Sequence, residues 1–129
     1  MTEPIEVLVL DDEPIVGSRI KPSLEKEGYQ VEIMTDSQDA VERIKQKKFD
    51  IVVTDFKMSK VTGLDLLRIQ KQLWPESVVI IITGYATMEI AREAMQSGVY
   101  DFIPKPFRLQ ELKEVIRRAA ETIRGQTQH

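Results

Sequence analysis

The stretch Asp50-Ile51-Val52-Val53-Thr54-Asp55 constrains this chain more than any other. Four apolar or β-branched residues in a row, fenced by polar ones, predict a strand buried on both faces. Such a strand belongs inside a sheet covered on both sides. Its final carboxylate is not core material, so Asp55 has to sit where the strand runs out into a loop. In open α/β sheets that carboxyl rim is where ligands bind. A second run of the same kind, Val78-Val79-Ile80-Ile81-Ile82, ends at Thr83-Gly84.

The rest of the chain alternates strands with helices. Ile5 to Leu10 is predicted as the first strand, closed by Asp11-Asp12-Glu13. Pro14 suits the first turn of a helix, with Ile15, Val16, Ile20 and Leu24 as its inner face and Gly28 as its stop. Pro22 falls inside that helix, where a proline costs about 3 kcal/mol, so a bend or broken turn is expected there. Gln30 to Met34 alternates as a half-buried strand, and Ser37 to Lys47 carries Ala40, Val41 and Ile44 at helical spacing. Gly63 to Leu73 is a third helix with Leu64, Leu67 and Leu73 inward. Thr87 to Gln96 is a fourth, with Ile90, Ala91, Ala94 and Met95 inward and Gly98 past its end. Tyr100 to Ile103 is a short fifth strand of edge character, running into Pro104-Lys105-Pro106-Phe107. Leu109, Leu112, Val115, Ile116, Ala119 and Ile123 stripe the last helix.

Five strands alternating with five helices predict an α/β domain, a doubly wound parallel sheet with helices on both faces. With 129 residues and no repeat or linker, the chain is expected to be one domain over 1–124, with 125–129 as a frayed tail. No apolar run approaches the ~18 residues of a membrane span. The absence of cysteine excludes disulfides and thiolate metal sites and fits a reducing cytoplasm. The only histidine is the terminal His129, which excludes histidine triads and leaves phosphohistidine chemistry to a partner. A net charge of −3, with basic residues spread among acids, marks no nucleic-acid surface.

The strand ends converge on one chemistry. The first strand delivers Asp11 and Asp12, the third Asp55, the fourth Thr83 and the fifth Lys105. In a 2-1-3-4-5 order the first and third strands are neighbours at the topological switch point, and three carboxylates crowd one cleft. Their mutual repulsion raises pKa values or draws in a cation. An all-oxygen donor set favours a hard ion, Mg²⁺ or Mn²⁺. Lys105 adds a second positive charge and Thr83 a hydroxyl donor. Together they make a receptor for a phosphoryl group, whose transfer needs positioning and charge neutralisation. Asp55 is the candidate nucleophile.

Asp11-Asp12-Glu13, Val52-Val53-Thr54-Asp55, Ile82-Thr83-Gly84 and Asp101-Phe102-Ile103-Pro104-Lys105-Pro106-Phe107 resemble the receiver domains of bacterial response regulators in two-component signalling. The run from Thr83 to Phe107 looks most like the receivers of nitrogen-regulatory transcriptional activators. The resemblance covers nearly the whole chain. It implies a flavodoxin-like (βα)5 fold and an Asp55 phosphorylated from a sensor histidine kinase or phosphotransfer protein. It implies Mg²⁺ bound directly by Asp12 and Asp55, through water by Asp11, and by the main-chain carbonyl of Lys57. Thr83 and Lys105 would contact the phosphoryl oxygens, and Phe102 would be the switch aromatic, turning inward as Thr83 moves. The Lys105–Pro106 bond would be cis. The signal would leave through the face formed by the fourth helix, fifth strand and fifth helix, toward an output domain or a second copy. Such a domain catalyses only its own phosphorylation and dephosphorylation. Whether the chain is stand-alone or part of a longer regulator is left open.

Some positions depart from the family pattern. Ser59 stands where proline is usual, Thr62 where an acidic residue is common, and Phe102 lacks a tyrosine hydroxyl. Lys57 and Tyr85 stand where side chains tune the lifetime of the phosphate in the family. Three rival readings fit less well. A haloacid-dehalogenase-type phosphatase needs a second aspartate two residues after the nucleophile, where this chain has Lys57. A nucleotide-binding module needs a glycine- or hydroxyl-rich loop after the first strand, where this chain has three acids. A receiver-like module that is never phosphorylated would not need all five site residues.

Overall fold

The computed structural model describes residues 3–58, 60–84 and 87–127. In chain order the elements are β1 (Glu6–Leu10), α1 (Pro14–Glu25), β2 (Gln30–Met34), α2 (Ser37–Gln46) and β3 (Ile51–Asp55), then α3 (Gly63–Leu73), β4 (Val78–Thr83), α4 (Met88–Gln96), β5 (Asp101–Pro104) and α5 (Leu109–Thr127). All neighbouring strands pair in parallel, in the order β2-β1-β3-β4-β5. This is the expected flavodoxin-like fold.

Period-two alternation in the central strands divides the core between two faces. Val7, Val9, Val53 and Ile80 face α1 and α5, packing on Ile20, Leu24, Leu112 and Ile116. Leu8, Leu10, Val52 and Ile81 face the other helices, packing on Ile44, Leu66, Leu67 and Ala94. β3 and β4 are buried along their whole lengths, as continuous apolar runs predict. Helix starts follow side-chain caps: Asp36 accepts from Asp39 N, Thr62 from Asp65 N and Thr87 from Ile90 N. Gly28 and Gly98, read as helix stops, have φ of 94° and 93°.

Several expected inward residues are exposed. Ile15 is 64% exposed, Leu73 41% and Met95 72%. Ile15 lies in the first turn of α1, at the carboxyl rim and beyond the strands it would cover. Leu73 ends α3, and Gln70 takes the inward place instead, donating to Ser77 Oγ at 3.0 Å and Phe49 O at 3.4 Å. α4 buries only Ala94, because it lies toward the sheet edge beside four-residue β5. α1 also runs unbroken through Pro22. The amide that proline lacks would have bonded the Ser18 carbonyl, and both residues are exposed, so water can satisfy that oxygen. At the other end of the chain, α5 is helical to Thr127, and the last two residues of the tail expected over 125–129 lie outside the described residues.

One surface cluster ties α2 to the sheet. Arg43 forks onto Glu32 with Nε at 2.9 Å and Nη2 at 2.6 Å, while Lys47 Nζ lies 3.3 Å from Glu32 and 3.0 Å from Glu6. The Arg43 hydrogen bonds hold the Glu32 carboxyl at about 2, below its ordinary 4.5. A depressed carboxylate contributes stability above its unfolded value, and that stability is lost as pH falls from 4.5 toward about 2. Solvent screening keeps the contribution to about 1 kcal/mol. Glu32→Gln is therefore expected to lower the melting temperature at pH 6 and to converge on wild type near pH 2, followed by circular dichroism.

Candidate metal and phosphoacceptor site

β1 and β3 are hydrogen-bonded neighbours, with Leu10 paired to Thr54, so Asp11 and Asp55 leave the sheet side by side. Carboxylate oxygens of Asp11, Asp12 and Asp55 all lie within 4.8 Å of one another. Asp11 and Asp55 are buried and Asp12 is exposed. Lys105, just past β5, reaches across the rim. Its Nζ lies 3.0 Å from Asp11 Oδ2 and 3.0 Å from Asp55 Oδ2. The other oxygens are also held: Glu13 N donates to Asp11 Oδ1 at 2.9 Å and Lys57 N to Asp55 Oδ1 at 3.2 Å.

Burial pushes the Asp55 carboxyl above its ordinary value; the Lys105 ammonium opposes this and the Asp11 charge adds to it. Burial alone would depress Lys105, but its bonds to Asp11 and Asp55 outweigh that and hold the amine above its ordinary value. One ammonium thus serves two buried carboxylates, with a third acid beside them. The cluster carries more negative charge than its lysine neutralises. That excess, on oxygen donors open to solvent through Asp12, fits a hard divalent cation.

Thr83 is fully buried at the end of β4, where its carbonyl accepts from Lys105 N at 2.7 Å. Phe102, on β5 opposite Ile81, is half-buried against the cluster that includes Ala94. The Lys105–Pro106 peptide is cis. Ser59 and Tyr85 lie outside the described residues. Thr62, at the position where an acidic residue is common, forms a capping box with Asp65 at the start of α3.

Two features of the site were not read from the sequence. Glu13 Oε1 stands 3.9 Å from Lys105 Nζ, a third acid on the same amine. At Gly63 the sequence shows only a helix start. A Cβ there would lie 2.5 Å from the Asp55 carbonyl oxygen and 2.8 Å from Phe56 Cα. The signal for it was a glycine at a helix N-terminus eight residues after the acid, which is too common to single out.

Residues 7–117 match the family model of the response regulator receiver domain. The chain belongs to that family. Receiver domains bind a divalent metal at an acidic pocket and work with sensor kinases and output domains in two-component signalling. The nitrogen assimilation regulatory protein NtrX of Azorhizobium caulinodans is 36% identical over 121 residues, covering 92% of this chain and 27% of that protein. The chain thus spans about a quarter of the length of the curated relatives it matches. Among solved structures, a CheY-like receiver domain protein of Methanospirillum hungatei JF-1 superposes with a TM-score of 0.91 at 28% identity, over 95% of this chain and 98% of that one. The beryllofluoride-activated NtrC4 receiver domain dimer gives 0.85 at 34% identity, over 92% and 98%. No helix among the described residues is long and apolar enough to cross a membrane.

Proposed function

We propose that this receiver domain is a phosphorylation-driven switch in which Asp55 accepts a phosphoryl group from a phosphohistidine on a sensor kinase or phosphotransfer protein. The observation that carries this reading is the Lys105 ammonium, 3.0 Å from both Asp11 and Asp55, within a cluster of three carboxylates. An Asp55 carboxylate oxygen attacks phosphorus; a P–O bond forms as the P–N bond to the donor imidazole breaks, and the imidazole leaves. Asp11, Asp12, Asp55 and the Lys57 carbonyl would hold Mg²⁺, which supplies charge neutralisation at the phosphoryl oxygens. Lys105 then trades its Asp55 contact for a phosphoryl oxygen, and the Thr83 hydroxyl supplies another donor. The domain catalyses its own phosphorylation and dephosphorylation and no other reaction.

The readout runs from Thr83 through Phe102 to the face of α4, β5 and α5. Exposed Met88, Met95 and Tyr100 support that direction, because they leave apolar surface on the partner side. A cytoplasmic kinase partner, and an output domain or second copy on this face, complete the proposal.

The test is the mass of the protein after incubation with acetyl phosphate and Mg²⁺. Wild type is expected to gain one phosphoryl group and Asp55→Asn none, with both folded by circular dichroism. Equal labelling of the asparagine variant would remove Asp55 from this role. So would a wild type that never labels.

A further inference from the structure

Between β3 and α3, residues 56–58 and 60–62 are fastened at three points. At their base Gly63 N donates to Phe56 O at 2.8 Å. Among them Met58 is buried in the cluster that contains Leu10, Ala40 and Leu64. At their far side Val61 N donates to Ser37 Oγ at 3.3 Å, a bond to the first turn of α2 that spans 24 positions. Beside Val61, Lys60 has a φ of 73° and its Nζ donates to Gln38 Oε1 at 3.4 Å.

Ser37 is the first residue of α2 and is 3% exposed. A serine at such a position ordinarily faces water. The helix is already capped by Asp36, which accepts from Asp39 N at 3.0 Å, so capping does not account for a buried Ser37 hydroxyl. The bond from Val61 N supplies one of its partners. Lys60 makes that tie matter. A non-glycine residue in the left-handed region persists only where its surroundings hold it, and Ser37 and Gln38 provide those surroundings. Residues 56–58 in turn reach the site directly, since Lys57 N is bonded to Asp55 Oδ1 at 3.2 Å.

We infer that Ser37 is a positioning residue for the metal and phosphoacceptor site. By holding Val61 it anchors the described residues 60–62 ahead of α3, and so bears on the place of the Lys57 backbone and of the Asp55 carboxylate bonded to it. The inference rests on the reading of Asp55 and the Lys57 carbonyl as metal ligands. It assigns α2, which contributes no residue to the acidic cluster, a part in the affinity of that cluster.

Calorimetric titration with Mg²⁺ alone tests it, on the wild type, Ser37→Ala and Ser37→Thr. Supports of a metal ligand typically set affinity by an order of magnitude, so Ser37→Ala is expected to bind Mg²⁺ about tenfold more weakly. Ser37→Thr, which keeps the hydroxyl, should stay close to wild type. Labelling by acetyl phosphate should then need more Mg²⁺ in Ser37→Ala than in the wild type. Hydrogen exchange at the Val61 amide should accelerate in the same variant, which serves the test even where the threonine methyl does not fit. A variant with lowered melting temperature but unchanged Mg²⁺ affinity would overturn the inference and leave Ser37 a packing residue. Unchanged Val61 exchange would overturn it as well. A wild type indifferent to Mg²⁺ would overturn both this and the reading of the acidic cluster, whereas equal binding by wild type and Ser37→Ala overturns only the tie.

Discussion

Lys105→Ala is expected to destabilise the metal-free protein by about 3 kcal/mol, and by much less when Mg²⁺ is present. The lysine stands 3.0 Å from both Asp11 and Asp55, whose side chains are 1% and 9% exposed. Removing it leaves two buried carboxylates facing each other with no cation between them. Breaking a buried pair in this way costs several kcal/mol because the remaining charge is stranded. A divalent ion restores the missing charge, so the loss is predicted to be largely reversed by Mg²⁺. Urea unfolding with and without the metal measures the difference. A loss of the same size under both conditions would assign the effect to packing of the lysine stem. The same variant is expected to weaken phosphorylation-linked spectral changes, because no ammonium is left to follow the phosphoryl group.

Gly63→Ala is expected to cost about 3 kcal/mol, at the upper end for overpacking. The three atoms nearest the new methyl are the Asp55 carbonyl oxygen at 2.5 Å, Phe56 Cα at 2.8 Å and the Asp55 carbonyl carbon at 3.1 Å. All three are backbone, so no side chain can swing aside. The end of β3 and the start of α3 have to separate, which also strains the bond from Gly63 N to Phe56 O. Because the displaced residue is Asp55 itself, labelling by acetyl phosphate should fall together with stability. An alanine variant of wild-type stability would mean that the two elements can move apart freely.

The βα alternation, the two doubly buried strands and the polar residues Asp11, Asp12, Asp55 and Lys105 at the strand ends were legible in the residues, whereas the 2-1-3-4-5 order that gathers them at one rim belongs to the fold class and not to any one segment. The former follow from short-range facts: apolar runs of strand length, helical periodicity between them, and a polar residue just past each strand. Parallel pairing then brings the strand ends to one edge, because every strand runs the same way. Resemblance to receiver domains added roles for these residues that their types alone would not assign.

What the residues do not determine by themselves is how far each helix reaches over the sheet. Ile15, Leu73 and Met95 carry apolar side chains at helical spacing, yet they lie beyond the surface available to cover them. Gln70 fills an inward position because Phe49 O, 21 residues away, and Ser77 Oγ, seven residues away, accept from its Nε2. The close approach of Gly63 to Asp55 and the tie from Val61 to Ser37 are likewise contacts between segments whose separation is fixed only when the sheet is assembled. Local pattern decides which elements form and which ends carry charge. The meeting of backbone with backbone, and the partnering of a buried polar group, depend on distances that exist only in the packed molecule.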